Sequence, residues 1–510
     1  MLSEGLLYLS VSELGAMIRS RKISPVELTE SYLERLRSLG PKLGALATLT
    51  DDLARKQARQ AEKEIMSGKY RGPLHGIPYG AKDLLATRAI PTTWGATPYR
   101  DQVFDYDATV VRRLADAGAI LAAKLAMVEL AGGMGYNRAD ACWTGTCRTP
   151  WNLNYWSGGS SSGPGAATAA ALVGFSIGSE TSGSIVTPAS FCGISGLRPT
   201  YGRVSRHGAM ALCWTLDKLG PMCRSARDCG LVLKAIAGRD PDDGTATDAA
   251  FSFPPLGKPS RRWRVGVIKG SADKVQPEVK RNFEHSVGVF RQFAEVDEAV
   301  EFPDFPGQVV GIIVNAEGGA AFRELIESGK LSQLANGQGR VGGYTAMLTP
   351  AVDYVQAMRL RAPMRRAFAK LFEKYDALLA PSRTTVSYPV DVEFEKAYPG
   401  ISGGPPVIPV TNAVGIPAIS IPNGLGIASL PTGLQIIGGS FAEETILSLA
   451  VEYQARTDFH KKKPAFSEEK PAKQEKQSSV ISHQSSLIGS KWEAAEMFTG
   501  TADSLIELHL

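Results

Sequence analysis

Histidine is scarce in this chain. Six occur in 510 residues (His75, His207, His285, His460, His483 and His509), three of them from His460 onward. A serine hydrolase of the common kind needs a histidine base, so a Ser-His-Asp set would have to recruit His75, His207 or His285. Cysteine is as sparse. Cys142, Cys147, Cys192, Cys213, Cys223 and Cys229 fall in one central region, with no CxxC pattern and no metal-site arrangement of histidines. This spacing speaks against zinc, and no metal or cofactor is expected; the thiols should be free, buried and reduced.

Long apolar runs are missing too. None approaches the roughly 20 residues needed to span a bilayer, and Met1–Gly5 has neither the basic n-region nor the apolar h-region of a leader. A cytoplasmic protein without a membrane partner is the default reading. Charge of one sign is also lacking: 56 Lys and Arg against 51 Asp and Glu leave a net +5, and no basic block is interleaved with aromatics. Nucleic acid is therefore not an expected partner. An apolar share of 44% and a charged share of 21% are ordinary for a soluble globular protein with a sizeable core.

The segments that are present read as an α/β layered protein. Ser24-Pro25-Val26-Glu27 places an N-cap serine, a first-turn proline and a capping glutamate ahead of Leu28, Tyr32, Leu33 and Leu36 at helical spacing. A second, polar helix is expected over Asp51–Met66. From Gly72 onward, short apolar strands broken by glycine and proline alternate with helical stretches, such as 108–117 before the buried-strand run 119–123. Residues 166–173, alanine-rich and uncharged, predict a helix buried on every side. Later strands are expected at 264–268, 377–381, 418–422 and 433–438, and a last helix at 443–456. Beyond 465 the composition turns to Glu, Lys, Gln and Ser, which predicts a largely disordered tail over 466–510.

Two glycine-packed serine clusters carry the chemistry: Gly158-Gly159-Ser160-Ser161-Ser162-Gly163, and Gly178-Ser179-Glu180-Thr181-Ser182-Gly183-Ser184. The first matches a G-x-S-x-G elbow centred on Ser161, but that motif needs a strand before it, and Trp151–Trp156 is a poor strand. The second has the glycine spacing of a phosphate loop without its lysine. Either cluster alone reads as turn-forming residues. A lysine, Lys82, stands upstream among glycine and apolar residues, where burial would lower its pKa. To act as a base near neutral pH it must fall from about 10.4 by roughly three units. Asp83, next to it, would oppose that shift if its carboxylate pointed the same way.

Taken together these residues resemble the amidase signature family of serine amidohydrolases. The resemblance runs from Leu9 to Pro464, through Gly72–Pro78 leading to Lys82-Asp83, then Asp107–Leu114, Gly158–Ser161, Thr181–Ile185, Gly193–Ser205, Gly415–Ser420 and Leu430–Gly438. It implies a large mixed β-sheet covered by helices on both faces, with residues 1–465 forming the amidase signature domain. It implies a catalytic triad of Ser184 as nucleophile, Ser160 as relay after a cis peptide bond, and Lys82 as base. The oxyanion hole implied is the backbone N–H groups of Thr181, Ser182, Gly183 and Ser184. Ala131 falls on a position that lines the substrate pocket in fatty-acid-amide members, and His75 on a motif position without a catalytic role.

Two departures stand out: Ser182 replaces a glycine, and Leu125-Ala126 follow Lys124 where many relatives carry Thr-Asn. The implied activity is hydrolysis of a small-molecule carboxylic amide, with esters and carbamates as related substrates. The alternative is the glutamine-amidase subunit of a tRNA-dependent amidotransferase; a binding scaffold without activity is disfavoured because all three triad positions are filled. A homodimer is compatible with the family. Residues 307–322 and 337–348 look like insertions that line an entrance, and the helical run 353–372 is expected to form part of that wall.

Overall fold

The computed structural model describes residues 2–254, 261–401 and 403–468. Eleven strands form one mixed sheet: β1 (Leu46–Leu49), β2 (Pro78–Lys82), β3 (Ile120–Leu125), β4 (Phe175–Glu180), β5 (Ser195–Arg198), β6 (Lys218–Cys223), β7 (Trp263–Ile268), β8 (Ala294–Val300), β9 (Ala377–Pro381), β10 (Ala418–Leu425) and β11 (Pro431–Ile437). Their spatial order is β1-β3-β2-β4-β6-β5-β10-β11-β9-β7-β8. Every residue of β2, β3, β4, β5, β6, β9 and β11 is buried. Strands without a polar, solvent-facing side require layers on both faces, and helices supply them.

The parallel trio β3-β2-β4 positions the chemistry. β2 runs parallel to β4, with Tyr79 level with Phe175 and Ala81 level with Ile177. Lys82 ends one strand and Ser179-Glu180 end the next, so both serine clusters and the lysine meet at the carboxyl ends of parallel neighbours, the usual location of ligand sites in such sheets.

Local signals were obeyed where they were strong. The helix Pro25–Leu43 opens on Ser24, whose hydroxyl accepts from Val26 and Glu27 N–H while Glu27 returns a bond to the Ser24 N–H. The polar helix spans Asp51–Met66 and the last long helix Glu443–Ala455. The alanine-rich helix differs from expectation: it covers Ser162–Ala169, not 166–173. It starts directly after Ser161 because Pro164, in the first turn, forfeits no helical hydrogen bond there. It stops early because Ala171 turns left-handed (φ 50°) and the Leu172 N–H closes on the Ala167 carbonyl. All eight residues are buried as expected.

Of the segment read as a tail, Phe466 donates its N–H to Pro150 O, Ser467 O accepts from the Leu153 N–H, and Glu468 O accepts from Asn154 Nδ2. The remainder of that segment lies outside the described residues.

Gly163 is where this helix meets the sheet. A Cβ there would lie 2.6 Å from both the N and the O of Ala126 and 2.6 Å from Ala45 O. Alanine usually stabilises a helix relative to glycine. Gly163→Ala should do the reverse, lowering stability by about 1–3 kcal/mol through overpacking against backbone; a lower denaturant midpoint at unchanged slope would register it.

Candidate active site

Lys82 is fully buried at the end of β2. Its Nζ makes no ion pair among the described residues. Instead three hydroxyls surround it: Ser160 Oγ at 2.8 Å, Ser179 Oγ at 2.9 Å and Ser161 Oγ at 3.0 Å. Burial pushes its pKa down to about 7, with Asp217 and Glu180 opposing the fall. Asp83 does not oppose it. As the next residue along an extended segment it points away, onto the buried Lys124 (3.1 Å), and accepts from the Thr93 N–H (3.0 Å) and hydroxyl.

Ser160 follows a cis peptide bond from Gly159, as the resemblance implied. Its carbonyl accepts from the Val128 N–H at 3.1 Å. The strand that an elbow centred on Ser161 requires is absent: residues 151–156 hold turns and isolated bridges only. The Ser161 Oγ is also committed, accepting from the Ser179 N–H (3.2 Å) and donating to Ser179 O (3.1 Å). The Ser161 N–H in turn donates to Ser184 O at 3.2 Å, which ties the two clusters together. Ser179 was not singled out from sequence. Its place in strand alternation, two residues past Ile177 on a strand parallel to β2, was the signal available.

The turn after β4 is held by Glu180. Its carboxylate accepts from Arg198 Nη1 (2.9 Å), Asn412 Nδ2 (2.9 Å) and the N–H groups of Ile185 (2.9 Å) and Val186 (3.0 Å). Burial alone would raise this carboxyl; Arg198 and the other donors outweigh it and hold it at about 2. With Ile185 and Val186 bound to Glu180, the N–H groups of Thr181, Ser182, Gly183 and Ser184 have no protein acceptor among the described residues. A row of free donors beside a nearly buried serine hydroxyl, Ser184 at 8% exposure, is suited to a developing oxyanion.

Gly183 takes the left-handed conformation (φ 88°), whereas Ser182 does not. Serine in place of glycine at 182 therefore adds no backbone strain. Its side chain lies exposed, with no hydrogen bond to Ser160.

Known proteins of similar sequence and fold identify the family. A family model described as Amidase matches residues 27–447. A glutamyl-tRNA(Gln) amidotransferase subunit of Moorella thermoacetica is 34% identical over 498 residues, covering 90% of this chain and 99% of that protein. The chain belongs to the amidase family. Among solved structures, native peptide amidase from Stenotrophomonas maltophilia has a TM-score of 0.76 and 28% identity, over 90% of this chain and 98% of that one. A chain of a vestigial protein complex, linked to the origins of an s-triazine catabolic enzyme, has a TM-score of 0.81 and 27% identity, over 88% and 98% respectively.

A cavity of about 200 Å³ reaches the candidate site at Ser179 and Thr181, its wall completed by Leu84, Ala131, Asp217 and His207 among others; Lys82, Ser160 and Ser184 do not line it. Ala131 thus stands beside the candidate site, in a turn where it and Leu130 are both left-handed. None of the segments 307–322, 337–348 and 353–372 lines this cavity. The helices Gln308–Ala321 and Ala351–Lys374 stand behind its wall: Glu317 accepts from the Thr215 N–H and hydroxyl and from Tyr354. Likewise, Glu129 accepts from the N–H groups of Ala335 and Asn336.

Among the described residues no histidine hydrogen-bonds to Lys82 Nζ, whose partners are all serines. Buried His75 accepts from the Arg71 N–H and faces Glu64, and burial lowers its pKa. All six cysteines are free and buried, and no metal-binding cluster occurs among the described residues. No described helix is long and apolar enough to cross a membrane.

Glu180→Ala would strand Arg198 in the interior, at a cost of about 3–5 kcal/mol. The double variant Glu180→Ala/Arg198→Met should recover part of that loss, since it removes the unpaired charge, and denaturant titration of the three proteins measures the difference.

Proposed function

We propose that this amidase hydrolyses a carboxylic amide through an acyl-enzyme on Ser184. Neutral Lys82 takes the proton of Ser160 while Ser160 takes that of Ser184, and Ser184 Oγ attacks the carbonyl carbon. The lysine becomes an ammonium and the carbonyl oxygen an oxyanion, received by the N–H groups of Thr181, Ser182, Gly183 and Ser184. The relay then runs backward. The proton reaches the leaving nitrogen, the C–N bond breaks, and Lys82 is neutral again. Water enters, gives its proton along the same route and releases the carboxylic acid. Esters give the same acyl-enzyme with an alcohol as leaving group, and carbamates give a carbamoyl-enzyme by the same route.

The observation that carries this reading is Lys82 Nζ, buried without a counter-ion among the described residues and 2.8 Å from Ser160 Oγ. Ala131 and Leu84 would then flank the substrate.

The identity of the amide has two readings. The likeness to peptide amidase supports a stand-alone enzyme. The names of the curated relatives favour the other, a glutamine-amidase subunit that works with partner chains and passes on ammonia. Hydrolysis of a chromogenic anilide by the isolated chain, with no response to glutamine, would sink the subunit reading. Glutamine hydrolysis that appears only with a co-purifying chain would sink the stand-alone one.

Ser184→Ala and Lys82→Ala should each abolish labelling by a fluorophosphonate probe. Labelling that survives in Ser184→Ala but vanishes in Ser161→Ala would overturn the assignment of the nucleophile. The pH dependence follows from Lys82. Only the neutral amine accepts a proton, so the labelling rate should rise with pH through about 7 and level off above it. Below that limb it should fall about tenfold per unit.

A further inference from the structure

Resting on the reading of Lys82 as the base, one question remains open in its hydrogen bonding. A neutral amine has two N–H bonds and one lone pair, yet three hydroxyls lie at 2.8–3.0 Å from Nζ. Only an arrangement with the lone pair toward Ser160 is productive. Ser161 cannot take the lone pair, because its own proton goes to Ser179 O and its Oγ already accepts from the Ser179 N–H. It can offer the lysine only an acceptor. The choice lies between Ser160 and Ser179, neither of whose hydroxyls has another partner among the described residues.

We propose that Ser179 is a positioning residue for the base: by accepting one Nζ–H beside Ser161, its hydroxyl leaves the lone pair of Lys82 facing Ser160. Once the proton has moved, the same three hydroxyls provide an acceptor for each N–H of the ammonium. The charged form is thus received without rearrangement, in a place where no described carboxylate pairs with it. With Ser179 deprived of its oxygen, one amine N–H either goes unpaired or turns toward Ser160, and in the second case the lone pair is lost to the relay.

The charged groups around Lys82 are otherwise engaged. Glu180 of β4 is bound to Arg198 of β5, and Asp83 to Lys124 of β3. Asp217, ahead of β6, accepts from the Thr181 hydroxyl (2.6 Å) and the N–H groups of Leu212 and Cys213 (both 2.9 Å). Lys218 of β6 donates to Leu216 O. None is placed to substitute for the Ser179 hydroxyl.

Valine and threonine at 179 have the same shape and differ in a hydroxyl, and both suit a strand. Valine also fills the space that water could enter from the adjoining cavity. The test is the rate of fluorophosphonate labelling of the full chain between about pH 5 and about pH 9, which spans the limb of the base. Ser179→Thr should keep the limb and plateau of the native protein. Ser179→Val should lose about tenfold or more on the plateau, and its limb should move down by about one pH unit, because an ammonium suffers more than an amine from a missing acceptor.

A purely structural role would lower the rate without moving the limb. Thr and Val variants that share one limb would overturn the proposal, as would a Ser179→Ala protein whose limb stays in place, the variant to use if the β-branched pair does not fold. Either result leaves the assignment of Ser184 standing. Retention of labelling in Lys82→Ala or in Ser184→Ala removes the reading on which the proposal rests.

Discussion

A single buried carboxylate, Glu180, holds the turn on which the candidate site depends. It draws together a guanidinium from β5, an amide from the 407–414 helix and two N–H groups from the start of the helix that follows the turn. Removing two ions from water is costly unless nearly every donor and acceptor finds a partner. Here they do: Arg198 spends its remaining donors on Ile416 O and Thr411 Oγ1. By absorbing the N–H groups of Ile185 and Val186, the carboxylate decides which donors of the turn remain free. Those are the four that precede them, beside Ser184.

Lys82 solves the opposite problem. It is charged in water and is needed neutral, so the fold denies it a counter-ion and surrounds it with hydroxyls, which can both give and accept protons. The arrangement lowers stability. Because the folded-state pKa lies below the value in an unfolded chain, the unfolded state binds the proton more readily, and stability is lost as pH falls from about 10.5 to about 7. The neighbouring Lys124, equally buried, is given Asp83 and Thr92 Oγ1. Two lysines at the ends of paired strands thus meet opposite environments.

Much of this was legible from local pattern. Capping at Ser24 marked its helix because side chain and backbone satisfy each other within four residues. Lys82, Ser160 and Ser184 could be named because their flanking residues resemble a family in several ordered segments. The 162–169 helix was misplaced because composition marks a buried helix but not its ends; those were set by Pro164 and the left-handed Ala171. Ser179 and Glu180 were passed over, since nothing in their immediate neighbours distinguishes a strand serine that touches a lysine from one that merely packs. The direction of Asp83 was open for the same reason.

Composition and local pattern were enough to establish the class of the protein: a layered α/β chain with a serine-rich centre, few histidines, and a lysine in apolar surroundings. Which serine stands where was settled in three dimensions. Strand pairing sets β2 beside β4 and brings Lys82 to Ser179, while the turn ahead of the 162–169 helix, tied to β4 through Ser161 and Ser179, delivers Ser160 and Ser161 to the same amine. The division of labour among those hydroxyls comes from the hydrogen bonds each already makes. Such bonds join residues 18 to 97 positions apart, and no local rule of sequence reaches that far.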